Sequence, residues 1–107
     1  MKFGFSPATM EKLQSVFAQH SAVERVLLFG SRARGGFRVG SDIDLALEGG
    51  EEFTHAELLR IMSEVDDLLL PYQVDLLRIA EVSDPDLLAC IQKDGTTIYR
   101  RAEKVSA

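Results

Sequence analysis

Four glycines, at positions 30, 35, 36 and 40, fall within the twelve residues 30–41. A glycine inside a helix costs about 1 kcal/mol relative to alanine, so no regular helix runs through the whole of this segment. It is bounded on one side by the apolar run Val26-Leu27-Leu28-Phe29 and on the other by Ile43 to Leu47. Short apolar runs punctuated by glycine suit buried strands. The connection between these two is too short for a typical helical crossover, so they are expected to be antiparallel neighbours. The glycine segment is then a loop at one end of a sheet.

The flanking elements follow from periodicity and punctuation. Ser6-Pro7 reads as an N-cap and first helical position, and Met10, Leu13 and Phe17 recur at helical spacing, which predicts a helix over 7–20. Thr54 is expected to cap a helix with Leu58, Met62, Val65 and Leu69 on one face, ending before Pro71. Gln73 to Arg78 reads as a third strand, Ser83 or Asp84 with Pro85 starts a last helix that stops at Gly95, and Thr96 to Tyr99 form a last short strand. The order of helix, strand, loop, strand, helix, strand, helix, strand predicts an α+β (α/β-like) fold, a mixed sheet flanked by helices. At 107 residues, without repeat, linker or low-complexity tract, residues 1–107 are expected to be one domain.

Charge bounds the class of partner. Seventeen acidic against twelve basic residues leave a formal net charge of −5, which argues against an extended nucleic acid as the main partner. The one dense basic cluster is Arg32, Arg34 and Arg38, inside the glycine segment, a footprint for a small anion. Cys90 has no intrachain partner and falls in an apolar helical pattern, where a buried thiol in a reducing cytoplasm is the ordinary reading. Neither a signal peptide nor a membrane span is expected.

Asp42 and Asp44 stand two apart on an expected strand, so both carboxylates leave the same face. Like charges held together are relieved by a cation, and hard oxygen ligands suit Mg²⁺, with phosphate oxygens completing its shell. A surface Asp-x-Asp that merely opens a strand is the plainer alternative. What tilts the choice is the neighbourhood. Gly30 permits a sharp turn and close approach to phosphate, Ser31 offers hydroxyl and amide, and Arg32 or Arg34 can add charge-assisted bonds. Asp75 interrupts Val74-Asp75-Leu76-Leu77. If its strand lies beside the second, three carboxylates converge, the layout of two-metal displacement at phosphorus. An exposed edge-strand position is the competing explanation for Asp75.

With those residues in place, Gly30-Ser31 followed after ten residues by Asp42-Ile43-Asp44 resembles the signature of the DNA polymerase β-like nucleotidyltransferase superfamily. The run Phe29-Gly30-Ser31-Arg32-Ala33-Arg34-Gly35, Ser41-Asp42-Ile43-Asp44-Leu45 and Val74-Asp75-Leu76 is similar to the minimal nucleotidyltransferases of bacteria and archaea. Segment 36–40 departs from many relatives, which carry a proline and an acidic residue before the serine. The resemblance implies a polymerase β-like core, a nucleoside triphosphate donor, most simply ATP, and two Mg²⁺ ions on Asp42, Asp44 and Asp75. Asp75 would be ligand, general base, or both.

Relatives of this size resemble the antitoxin half of a two-gene module whose partner is an all-helical HEPN protein, and some are thought to adenylylate a tyrosine on it. The resemblance therefore implies AMP transfer to a hydroxyl on a HEPN-type partner, since little chain remains beyond the catalytic core to shape an acceptor pocket. Two other expectations stand beside it: a non-catalytic antitoxin that neutralises its partner by covering it, and a small-molecule (antibiotic) adenylyltransferase whose pocket comes from a homo-oligomer.

Overall fold

The computed structural model describes residues 3–35 and 41–101. Segment 36–40, including Arg38 and the departure from the family pattern, lies outside the described residues.

The first helix, α1, spans Pro7–Ala18, and the Ser6 side chain accepts a hydrogen bond from the Thr9 amide at 3.2 Å, as an N-cap does. Strand β1 covers Val23–Phe29, starting three residues earlier than its apolar run because Val23 is itself buried while Glu24 is exposed. The glycine segment then opens with a four-residue helix, α2, over Ser31–Arg34, which ends at Gly35 in the left-handed conformation (φ 87°). A single turn of helix thus fits between the glycines, in a segment too rich in glycine for a helix throughout. Strand β2 runs over Ile43–Gly49, α3 over His55–Asp66 and β3 over Val74–Arg78. A 3-10 turn at Ile79–Glu81, unannounced by periodicity, leads to α4 at Pro85–Asp94 and β4 at Thr96–Arg100.

The four strands form one sheet in the order β3-β2-β1-β4. β1 pairs antiparallel with both β2 and β4, whereas β2 and β3 are parallel, with α3 as their crossover. The sheet is mixed and flanked by helices, as the element order predicts. Alternation along the strands separates its two faces. Val26, Leu28, Ile43, Leu45 and Leu47 form the core with Leu13, Val16 and Phe17 of α1 and Leu58, Ile61 and Val65 of α3. Each such side chain contributes on the order of 1.5–3 kcal/mol when fully buried.

The α3 stripe differs from expectation. Leu58, Ile61 and Val65 are its buried residues, while Met62 is 41% and Leu69 87% exposed. Met62 lies on the flank of the stripe, and Leu69 falls beyond the last helical turn with a positive φ of 53°.

The face opposite α1 and α3 carries the intervening residues of the strands. There Leu27 of β1 lines a hollow with Leu88 and Ile91 of α4. Asp44 alternates with buried Ile43 and Leu45, so its side chain belongs to this second face.

Candidate active site

Phe29, the last residue of β1, is the register partner of Asp44 on β2, and Asp44 is in turn the register partner of Asp75 on β3. Parallel register partners lie side by side, so Asp44 and Asp75 are adjacent on the same face. The condition for convergence is therefore met: the third strand neighbours the second. β3 is also an edge strand and Asp75 is exposed, so the edge position and the convergence hold together. Asp42, exposed and one residue ahead of β2, completes the acidic group.

Electrostatics reports the crowding. Burial, then the Asp75 charge, then the Asp42 charge push the Asp44 carboxyl above its ordinary pKa, and only the Arg32 guanidinium acts against them. Asp44 thus senses both other carboxylates.

Gly30 closes the site from the β1 side. Its backbone angles, φ 78° and ψ −156°, belong to a region essentially restricted to glycine. A Cβ at this position would lie 2.6 Å from Oδ2 of Asp44. Ser31 follows as the first residue of α2, half-buried, with its carbonyl accepting from the Gly35 amide. The structure therefore brings Gly30, Ser31, Asp42, Asp44 and Asp75 to one corner of the sheet.

The two arginines go to different places. Arg34 is exposed at the end of α2, its Nη1 3.9 Å from Sγ of the half-buried Cys90 on α4. Arg32 is buried, only 2% exposed. Its Nε donates to the carbonyls of Ser41 (3.1 Å) and Asp42 (3.3 Å), Nη2 to Ser41 (2.5 Å) and Nη1 to the Phe3 carbonyl (2.7 Å). Its charge stands over the rings of Phe5, at 5.7 Å, and Tyr72, at 5.1 Å. Sequence reasoning missed Phe3, Phe5 and Tyr72 altogether, because aromatic residues far apart in the chain carry no mark of a shared cation.

Among the described residues, no three His, Cys, Asp or Glu side chains form a group that could hold a metal ion by themselves. Mg²⁺ does not require one, because it is commonly held by one or two carboxylates together with substrate phosphates. The donor set, carboxylate oxygens gathered around an Asp44 whose carboxyl is raised by burial and by the Asp75 and Asp42 charges, fits that mode of binding. No helix among the described residues is long and apolar enough to cross a membrane.

Residues 11–104 match the family model of the polymerase beta nucleotidyltransferases. The chain belongs to this family. A solved structure described as a candidate minimal nucleotidyltransferase is 31% identical, with a TM-score of 0.64 over 83% of this chain and 88% of that one. A toxin-antitoxin crystal structure with AMP-PNP is 18% identical, with a TM-score of 0.69 over 85% of this chain and 73% of that chain. A Shewanella oneidensis complex of a tri-AMPylated HEPN toxin with its MNT antitoxin is 16% identical, with a TM-score of 0.64 over 87% of this chain and 71% of that chain. At 16–18% identity the likeness is one of fold. No curated protein matches the chain in sequence.

Proposed function

We propose that this nucleotidyltransferase moves AMP from ATP to a hydroxyl on a HEPN-type helical partner, acting as the antitoxin of a toxin-antitoxin pair in the cytoplasm. The observation that carries the reading is the register pairing of Asp44 with Asp75 beside Asp42, in a corner closed by a glycine that leaves no room for a side chain. The toxin-antitoxin neighbours, one with an ATP analogue and one with an AMPylated HEPN toxin, support the donor and the acceptor.

In this reading Gly30 and Ser31 receive the triphosphate, exposed Arg34 adds charge to it, and Asp42, Asp44 and Asp75 would hold two Mg²⁺ ions together with the phosphate oxygens. Bound there, the ions neutralise charge on the phosphates and lower the pKa of the attacking hydroxyl. The acceptor oxygen forms a bond to the α-phosphorus and the bond from that phosphorus to the β-phosphate bridge breaks, releasing pyrophosphate. Asp75, exposed on the edge strand, would take the hydroxyl proton if it serves as base as well as ligand.

The test is to incubate the chain with ATP, Mg²⁺ and the protein encoded beside it, then weigh both proteins. AMP adducts on the partner, lost with Asp42→Asn, support the proposal; an unmodified partner whose toxicity is still suppressed by an Asp42→Asn, Asp44→Asn, Asp75→Asn triple variant supports the non-catalytic covering module instead. An antibiotic acceptor is tested by the same assay with the small molecule in place of the partner.

A further inference from the structure

Arg32 lies in the motif that the proposed function assigns to phosphate, yet its guanidinium is buried and engaged by backbone carbonyls. All three of its nitrogens donate to backbone carbonyls, and the side chain is 2% exposed. Those carbonyls belong to Phe3, Ser41 and Asp42, and the flanking rings to Phe5 and Tyr72. One planar fork thus joins four stretches of chain: the turn before α1, α2 itself, the two residues leading into β2, and the connection leading into β3.

Two of those stretches deliver the carboxylates. Ser41 and Asp42 immediately precede β2, where Asp44 resides. Tyr72 immediately precedes Gln73, whose carbonyl accepts from the Ile43 amide at 2.8 Å and so starts the β2–β3 pairing that sets Asp44 beside Asp75. A guanidinium presents its donors in a rigid fork, so it fixes the relative position of the carbonyls it binds, which a lysine ammonium does not. A buried charge must also be satisfied where it lies, which makes this arrangement costly to redirect toward a ligand.

We propose that Arg32 is a positioning residue: it fixes the backbone of Ser41 and Asp42, and through it the Asp42 carboxylate relative to Asp44 and Asp75, and it does not bind the nucleotide phosphates. The backbone part of this inference stands on the fold alone; its consequence for metal and transfer rests on the proposed nucleotidyltransferase site.

The experiment compares the full chain with Arg32→Lys, which keeps a cation between Phe5 and Tyr72, and with Arg32→Met, which keeps only the apolar stem. Amide hydrogen exchange of the metal-free proteins reports residues 41–44 against the α1 and α3 cores. Mn²⁺ affinity and ATP affinity in the presence of EDTA are measured on the same samples. Positioning predicts faster exchange at 41–44 in both variants with the helical cores unchanged, Mn²⁺ affinity weakened about 10- to 100-fold, and ATP affinity in EDTA within about twofold of the parent. Wild-type exchange at 41–44, or a loss of ATP affinity in EDTA with Mn²⁺ affinity intact, overturns it. If the parent chain binds neither Mn²⁺ nor ATP, the nucleotidyltransferase reading of the site fails, and the exchange at 41–44 still decides whether Arg32 holds that backbone. If Arg32→Met does not fold, Arg32→Lys carries the same three readouts.

Discussion

Gly30 and Asp44 approach so closely that a methyl group on Gly30 would stand 2.6 Å from the Asp44 Oδ2. The contact joins the end of β1 to the carboxylate at the centre of the acidic group, and it adds to the strain that Gly30's φ of 78° would impose on any side chain. Gly30→Ala is therefore expected to lower stability by about 1–3 kcal/mol from backbone strain and to abolish nucleotidyl transfer by displacing Asp44. Gly35→Ala is the comparison. Gly35 also has positive φ, but a Cβ there meets nothing within 4 Å, so it is expected to lose about 1–2 kcal/mol and keep its activity. Thermal unfolding with a transfer assay on both variants checks this; equal losses of activity would mean that strain, not the Asp44 contact, matters.

The crowding of Asp44 makes a pH prediction. Its carboxyl is raised by burial and by Asp75 and Asp42, so in the window between the unfolded and folded values the folded chain holds more protons than the unfolded one. Stability from this group is present below the ordinary aspartate range and is lost as pH rises through the folded value. Asp44→Asn removes that loss. It is expected to unfold at a higher temperature than the parent at neutral pH, with the gap closing in acid. Added Mg²⁺ is expected to stabilise the parent more than the variant, because only the parent has the full charge to relieve. Melting curves from acid to neutral pH, with and without Mg²⁺, measure both.

How much of this was legible in the sequence depends on the kind of residue. The antiparallel pairing of β1 and β2 followed from the length of the glycine segment, and the caps Ser6 and Thr54 were readable because capping is local chemistry. The extent of the short α2 was hidden by the glycines on either side of it. Met62 and Leu69 share helical spacing with buried residues, yet they face outward because the stripe centres on Ile61 and the helix stops at Asp66. At the site, the adjacency of Asp44 and Asp75 hung on which strands pair, a long-range fact that no local pattern encodes. The burial of Arg32 hung on partners at positions 3, 5, 41, 42 and 72, and in sequence it looks the same as the exposed Arg34.

His20 shows the same limit on the other face of the sheet. Its side chain is 10% exposed, with Nδ1 2.5 Å from Glu57 and Nε2 2.7 Å from Glu64, so it fastens the end of α1 to α3. α1 and α3 cover the face opposite Asp44, which separates this bridge from the site. His20→Gln is expected to lower stability by about 1–2 kcal/mol, discounted for the partly exposed glutamates, while leaving transfer kinetics within about twofold. Denaturant unfolding and steady-state kinetics on the one variant test this; a large fall in kcat would connect the two faces.

The most direct test of the account uses ATP labelled separately at the α and γ phosphates, with the chain, Mg²⁺ and the proposed helical partner. Nucleotidyl transfer on Asp42, Asp44 and Asp75 predicts that α-label alone enters the partner, that γ-label leaves as pyrophosphate, and that Asp44→Asn abolishes both. Label from the γ position on the partner, or α-label transfer that survives Asp44→Asn, would contradict it.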